Sequence, residues 1–128
     1  MSLLLDTHVF LWFLADSPRL SKGARASIAR AGSVRVSVAS LWEIAIKLSL
    51  GRLRAKRLDA NRLSTLASDC GFLELQINAT HAAGLLALPN IHDDPFDRML
   101  VAQAIAEDLT ILTADQTLLA YPARVEEA

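Results

Sequence analysis

Apolar residues along this chain come in short blocks, and polar or turn-forming residues separate the blocks at intervals that suit alternating strands and helices. Leu3-Leu4-Leu5 is a continuous apolar run. It suits a central buried strand, because parallel strands covered on both faces lose the usual apolar–polar alternation. Val9 to Ala15 reads as a short helix that stops at Asp16-Ser17-Pro18. Ser21 is placed to cap a second helix from Lys22 to about Ala31, with Gly32 as its C-cap. Val34 to Val38 reads as strand. Ser40-Leu41-Trp42-Glu43 has the form of a capping box, with Ser40 as N-cap and Glu43 at the third helical position. That helix runs to about Leu50, stops at Gly51, and carries Leu41, Ile44, Ala45 and Leu48 as its apolar stripe.

The second half repeats the alternation. A helix from about Asp59 to Cys70 ends at Gly71, and Phe72 to Leu75 forms a short strand. Asn78 caps a helix from Ala79 to about Leu86, and Pro89 to Asp93 is loop. Asp94-Pro95 is a strong helix start, Asp as N-cap and Pro at the first helical position. Leu109 to Thr113 is strand, Gln116 to Ala120 a short helix, and the tail around Ala123 to Val125 adds an edge strand. The expected fold class is therefore α/β: one domain over residues 1–128, a parallel sheet with helices on both faces, and right-handed crossovers. Periodicity does not say which strands are neighbours.

Composition narrows the picture. An apolar fraction of 52% fits a packed core, and a net charge of −1 provides no global field toward nucleic acid or membrane. Polyanion binding would need a local patch. The single cysteine, Cys70, excludes an internal disulfide framework and fits a reducing compartment; it falls in a helical stripe and is read as core. Leu3 to Leu14 lacks the basic flank of a signal peptide and is interrupted by Asp6 and His8, and no apolar run is long enough to span a bilayer. A soluble, cytoplasmic protein without a membrane role is expected.

The candidate chemistry lies in four acids: Asp6 after the first strand, Glu43 after the second, Asp97 in Asp94-Pro95-Phe96-Asp97, and Asp115 after Ile111-Leu112-Thr113. In an open α/β sheet, ligands bind outside the carboxyl ends of the strands. Acids gathered there repel one another unless their pKa values rise or a cation neutralises them. Hard oxygen donors with few Cys or His partners point to Mg²⁺ or Mn²⁺. Each acid also has a plain structural reading. Asp6 and Asp94 are good N-caps, Glu43 fits the capping box, Asp97 gains from the dipole of its first helical turn, and either Thr113 or Asp115 could cap the turn that follows.

Five stretches carry a resemblance: Leu-Leu-Leu-Asp-Thr-His-Val (3–9), Val-Ser-Val-Ala-Ser-Leu-Trp-Glu-Ile-Ala-Ile-Lys (36–47), Leu-Gly-Arg-Leu (50–53), His-Asp-Asp-Pro-Phe-Asp-Arg-Met-Leu-Val-Ala-Gln-Ala (92–104) and Leu-Thr-Ala-Asp (112–115). In this order and total length the chain resembles PIN-domain nucleases, specifically the VapC-type toxins of bacterial toxin–antitoxin pairs. The resemblance implies an α/β/α sandwich with a central parallel sheet of four to five strands. It implies an acidic site in which Asp6, Glu43, Asp97 and Asp115 hold Mg²⁺ or Mn²⁺. Thr7 and Thr113 match positions beside the acids and are expected to orient them or a bound water; Asp94 matches the family's common Asp-Pro step, as a cap first and an outer residue of the metal site second. The implied reaction is hydrolysis of an RNA phosphodiester. The implied partners are an RNA substrate, a VapB-like antitoxin and a second copy of the chain.

Other features remain two-sided. Arg52, Arg54, Lys56 and Arg57 lie in a basic segment that also holds Lys47 and Arg62, with Asp59 as its only acid; it is a solvated helix end or an RNA-contacting rim. Trp12, Phe13, Leu41 and Trp42 are read as core, with any exposed share suited to docking an antitoxin helix. His8 is near the acids; His81 and His92 read as surface or loop residues without zinc-ligand spacing. The alternatives are a PIN nuclease working in RNA processing or on DNA without an antitoxin, and a binding module whose acids only cap helices. A phosphoaspartyl phosphatase needs a second Asp two residues after Asp6, where the chain has His8.

Overall fold

A computed structural model describes residues 1–53 and 58–128. Five strands form one parallel sheet: β1 (Ser2–Leu5), β2 (Ser33–Ser37), β3 (Leu73–Leu75), β4 (Thr110–Thr113) and β5 (Arg124–Glu127). Their order is β3-β2-β1-β4-β5. The chain therefore lays strands to one side of β1, then crosses back to the other. The reversal falls between β1 and β4, which is where such sheets open a crevice at their carboxyl ends. Leu5 is in register with Leu112 across that junction, and the Asp6 backbone N–H donates to the Leu112 carbonyl at 3.1 Å.

Among the described residues, six helices cover the sheet: α1 (Thr7–Leu14), α2 (Lys22–Arg30), α3 (Val38–Ser49), α4 (Ala60–Asp69), α5 (Ala79–Gly84) and α6 (Pro95–Glu107). Strand alternation divides the core in two. Leu3, Leu5, Val36 and Leu112 face one layer, with Val9, Phe10, Ile28, Ile44 and Leu66 from the helices. Leu4 and Ile111 face the other, against Leu88, Leu100, Val101 and Leu118. The two leucines flanking Leu4 thus point away from it, as a period of two requires. Continuous burial of Leu3, Leu4 and Leu5 follows from helices on both faces. The expected α/β/α sandwich is observed, with the sheet at five strands.

Most caps lie where the sequence puts them. Ser21, Asp59, Asn78 and Asp94 cap α2, α4, α5 and α6 through side-chain oxygens. Gly51 and Gly71 follow α3 and α4 with φ of +69° and +78°, a conformation that costs any residue with a Cβ. Two caps are displaced. α2 ends with Ala31 as its C-cap, and Gly32 lies beyond it without the left-handed φ of Gly51 and Gly71. α3 starts at Val38, and its N-cap is Ser37, whose hydroxyl accepts from the Ala39 N–H at 3.0 Å. Ser40 is therefore inside the helix, and Glu43 lies beyond the first turn, so no capping box joins them. Two serines stand near this start; Ser37 prevails because β2 stays paired to β3 through that residue. His81 departs from its expected surface position. It is 1% exposed, and its Nδ1 accepts from the Asn78 N–H, completing a capping box in which imidazole replaces the usual Glu or Gln. Leu41 is buried and Trp12 and Phe13 are half-buried, but Trp42 is 60% exposed, with its edge against Phe96 at 5.2 Å between ring centroids.

Candidate active site

Three of the four expected acids line one cleft of about 300 Å³ at the β1–β4 switch point. Asp6, Asp97 and Asp115 share it with His8, Trp12 and Ala114. Each arrives on a different element, for a local reason. Asp6 ends β1 and caps α1, its Oδ1 accepting from the Val9 N–H at 2.9 Å. Asp97 occupies the first turn of α6, positioned by the Asp94 cap and Pro95. Asp115 follows β4 and caps a 3₁₀ turn over Gln116–Ala120, its Oδ1 accepting from the Thr117 N–H at 3.0 Å. The capping readings and the shared-site reading are thus compatible, because a carboxylate has several acceptor positions.

Thr113 connects two of these acids. Its hydroxyl donates to Asp6 Oδ2, and its oxygen accepts from the Asp115 backbone N–H at 2.9 Å. Thr7 points elsewhere: its buried hydroxyl donates to Ser40 Oγ at 2.9 Å and ties α1 to α3. Asp94 Oδ1 accepts from the Phe96 N–H at 2.8 Å. Glu43 is buried on α3 and pairs with Lys47 at 2.9 Å, one helical turn on. It does not line the cleft, but its charge reaches Asp97.

The electrostatics show the crowding. Burial, then the charges of Asp94, Asp6 and Glu43, push the Asp97 pKa up to about 7 against the opposing pull of His92. Burial raises Asp6 as well, although the Thr113 and Val9 hydrogen bonds resist it. Asp115 moves the other way. Its slight burial is outweighed by hydrogen bonds from His92 and Thr117, and its pKa falls below the ordinary value.

His92 is the residue the sequence did not single out. It is not a free loop residue: its Nε2 lies 2.9 Å from Asp115 Oδ2 and 3.2 Å from Asp97 Oδ2. His92, Asp97 and Asp115 each offer a ligand-type atom, all within 4.8 Å of one another. The available signal was its place two residues before the Asp94 cap. Arg52 is exposed just beyond α3, while Arg54, Lys56 and Arg57 lie outside the described residues. An apolar groove of about 630 Å³ adjoins the cleft and shares His8 and Trp12 with it; Leu11, Leu14, Leu58 and Leu66 line it, with Arg19 and Arg62 among its polar residues.

An α/β/α sandwich around a five-stranded parallel sheet is the architecture that the sequence resemblance implied. The profile of the PIN domain matches residues 3–123, and the chain belongs to that family. Among its relatives is ribonuclease VapC22 of Mycobacterium tuberculosis (strain ATCC 25618 / H37Rv), 31% identical over 118 residues, which are 91% of this chain and 89% of the relative. Solved structures agree in fold. VapBC2 from Rickettsia felis bound to a promoter DNA fragment matches with a TM-score of 0.73 at 18% identity, over 99% of this chain and 98% of the other. DNA-bound VapBC from Salmonella typhimurium matches with a TM-score of 0.66 at 16% identity, over 99% and 98%.

Proposed function

We propose that the protein is a metal-dependent endoribonuclease that acts as the toxin of a VapBC-type pair and restrains translation or growth when free of its antitoxin. The carrying observation is the meeting of Asp6, Asp97 and Asp115 in the switch-point cleft, where burial and then the neighbouring carboxylates lift Asp97 to about pKa 7. The VapC22 relative, a ribonuclease by name, supports the choice of RNA. The donor set suits a hard divalent cation, Mg²⁺ or Mn²⁺: it is rich in carboxylate oxygen and carries excess negative charge. Asp6, Asp97 and Asp115 would hold it, and Glu43, whose charge reaches Asp97, would join them on release from Lys47. Such an ion supplies positive charge for the developing oxyanion and lowers the pKa of a water.

The chain's own residues have separable tasks. Asp97, in the first turn of α6, would be a ligand of the cation, and one of the carboxylates would accept a proton from the attacking water. Thr113 holds Asp6 and the Asp115 backbone in one arrangement. Asp94 contributes mainly as the cap that sets Asp97 on its turn. Arg52 and its basic neighbours are assigned to the RNA backbone, to which cations bind without base preference.

The apolar groove supports a partner. A cleft-adjacent channel lined by leucines and rimmed by Arg19 and Arg62 suits an amphipathic antitoxin segment carrying acidic residues. A homodimer is expected beside it. No helix among the described residues is long and apolar enough to cross a membrane, which agrees with action in the cytoplasm.

The test is cleavage of total cellular RNA by purified protein with Mg²⁺ or Mn²⁺, with EDTA, and with Asp97→Asn. Discrete fragments that require the metal and vanish in the variant support the reading. Fragments that persist in Asp97→Asn refute the site assignment. Well-folded protein that binds no Mn²⁺ and cuts nothing favours the binding-module alternative.

A further inference from the structure

His92 touches two of the carboxylates that line the cleft, and its role can be read from the direction of its hydrogen bonds. The Asp94 backbone N–H points at His92 Nδ1, 3.0 Å away. A backbone N–H can only donate, so Nδ1 is the acceptor and the neutral ring carries its proton on Nε2. That N–H faces Asp115 Oδ2 at 2.9 Å and Asp97 Oδ2 at 3.2 Å. The His92 backbone is anchored as well. The His92 backbone N–H donates to the Tyr121 hydroxyl at 2.8 Å, and Arg98 reaches the same hydroxyl at 3.3 Å and the Pro89 carbonyl at 2.9 Å.

We infer that His92 is a positioning residue for the cation site, a fixed Nε2–H donor to Asp115 and Asp97, and is not itself a ligand. This inference rests on the metal-dependent reading above. Ligation through Nε2 would need a lone pair there and the proton on Nδ1, where it would oppose the Asp94 N–H. Breaking that contact would leave a partly buried donor unpaired and loosen the start of α6, which carries Asp97. Proximity alone groups His92 with Asp97 and Asp115 as possible ligands; hydrogen-bond direction separates it from them. The benefit is orientation. Asp115 follows β4 on a short turn, and its side chain is about a third exposed. With Oδ1 committed to the Thr117 cap, the His92 bond to Oδ2 keeps the carboxylate turned toward Asp97. Donors behind metal-binding carboxylates commonly matter in this way.

Two measurements test this. The first is long-range ¹H–¹⁵N NMR on the ion-free protein in EDTA at pH 8.5, which reads the tautomer directly. An Nε2–H ring supports the inference, and an Nδ1–H ring overturns it. The second is Mn²⁺ binding by calorimetry and pulsed EPR on the wild type, His92→Ala and His92→Gln. His92→Ala should bind about 10-fold or more weakly. His92→Gln, which keeps an N–H donor at the Nε2 position, should recover most of that loss. The wild-type EPR spectrum should lack the ¹⁴N coupling of a directly bound imidazole; such a coupling, lost in His92→Ala, would overturn the inference. Equal affinity in all three proteins would do so too. A wild type that binds no Mn²⁺ would sink the metal-dependent reading instead, and the tautomer would still decide the donor assignment.

Discussion

Two histidines in this fold make nearly the same bonds and do different things. His81 accepts a backbone N–H from Asn78 on Nδ1 at 3.2 Å and faces Glu107 with Nε2 at 3.0 Å. His92 accepts a backbone N–H from Asp94 on Nδ1 at 3.0 Å and faces Asp115 with Nε2 at 2.9 Å. The tautomer is the same, and so is the kind of partner. The surroundings differ. His81 is buried with Gln103, whose amide also meets Ser37 and the Gln76 carbonyl, so the donors and acceptors in that network are satisfied within the protein. His92 meets a second carboxylate, Asp97, and the cleft adds Asp6, so negative charge remains in excess. Histidine–carboxylate bonding alone does not mark a functional site. Surplus charge that the protein leaves unneutralised is the better sign.

Removing that surplus should produce the largest effect. Asp97→Asn should reduce RNA cleavage by about 10³-fold, as expected for loss of a carboxylate that holds the cation. The same substitution should stabilise the ion-free fold. Folded Asp97 keeps its proton up to about pH 7, whereas unfolded Asp97 loses it near 3.8. The folded state therefore binds more protons between these values, and stability falls as pH rises through that window. The full difference corresponds to about 4 kcal/mol as an upper bound. In EDTA, Asp97→Asn should gain most of its advantage at pH 8 and little at pH 4, read by urea denaturation. An advantage that is the same at both pH values would mean that ionising Asp97 in its buried, acid-lined place is not its cause.

The paired histidine variants separate the two regions directly. His81→Ala opens a void and leaves the Asn78 N–H unpaired, so it should cost about 2–4 kcal/mol. That is a fall in Tm of about 10 °C for a domain of this size. Cleavage per folded molecule should stay at the wild-type level. His92→Ala should cost about 1 kcal/mol or less in stability, because its ring is partly exposed, yet reduce cleavage at least about 10-fold. If both variants lost stability alike and both kept full activity, the contrast between the two networks would be wrong.

Thr113→Val sharpens the picture from the other side of the cleft. It leaves Asp6 Oδ2 and the Asp115 N–H without their shared partner. Hydrogen bonds to charged groups contribute about 1.5–3 kcal/mol, so a loss of about 2 kcal/mol is expected. The Asp6 pKa, already raised, should climb further, because a bond that favours the carboxylate is gone. NMR titration of Asp6 checks the direction; a fall would contradict it.

What could be read from sequence follows the range of the interaction. Asp94-Pro95, Ser21 and Gly51 act on their own neighbours, and the elements they bound were legible. The alternation of short strands with helices was enough for the fold class. Where local signals competed, the reading slipped: Ser37 and Ser40 both stand ready to cap α3, and the choice depended on β2 pairing with β3. The strand order was not legible, because no local pattern records which strands lie side by side. His92 was missed for the same reason, since its partner Asp115 is 23 residues away. His81 did leave a local trace, Asn78 three residues before an acceptor side chain, but the acceptor is not the usual Glu or Gln.

Lys47 offers the smallest and most discriminating change. It pairs with Glu43 at 2.9 Å on one face of α3, in the favourable order with Glu toward the N-terminus. Lys47 is a third exposed, so the pair sits between a surface bridge and a buried one. Its loss in Lys47→Met should cost about 1 kcal/mol or less. The effect on cation binding has the opposite sign. Glu43 influences Asp97 through its charge but pairs with Lys47 and does not line the cleft. If Glu43 joins the cation when one binds, it must first leave Lys47, and that competition weakens binding by the strength of the pair. Removing the competitor should tighten Mn²⁺ about threefold, the factor that corresponds to an interaction of about 0.7 kcal/mol. Calorimetry at low ionic strength is the measurement, because salt screens the pair and shrinks the difference. Unchanged affinity would mean that Glu43 stays with its helix and acts on the cleft only through its field; weaker binding would mean that Lys47 is what holds Glu43 within reach.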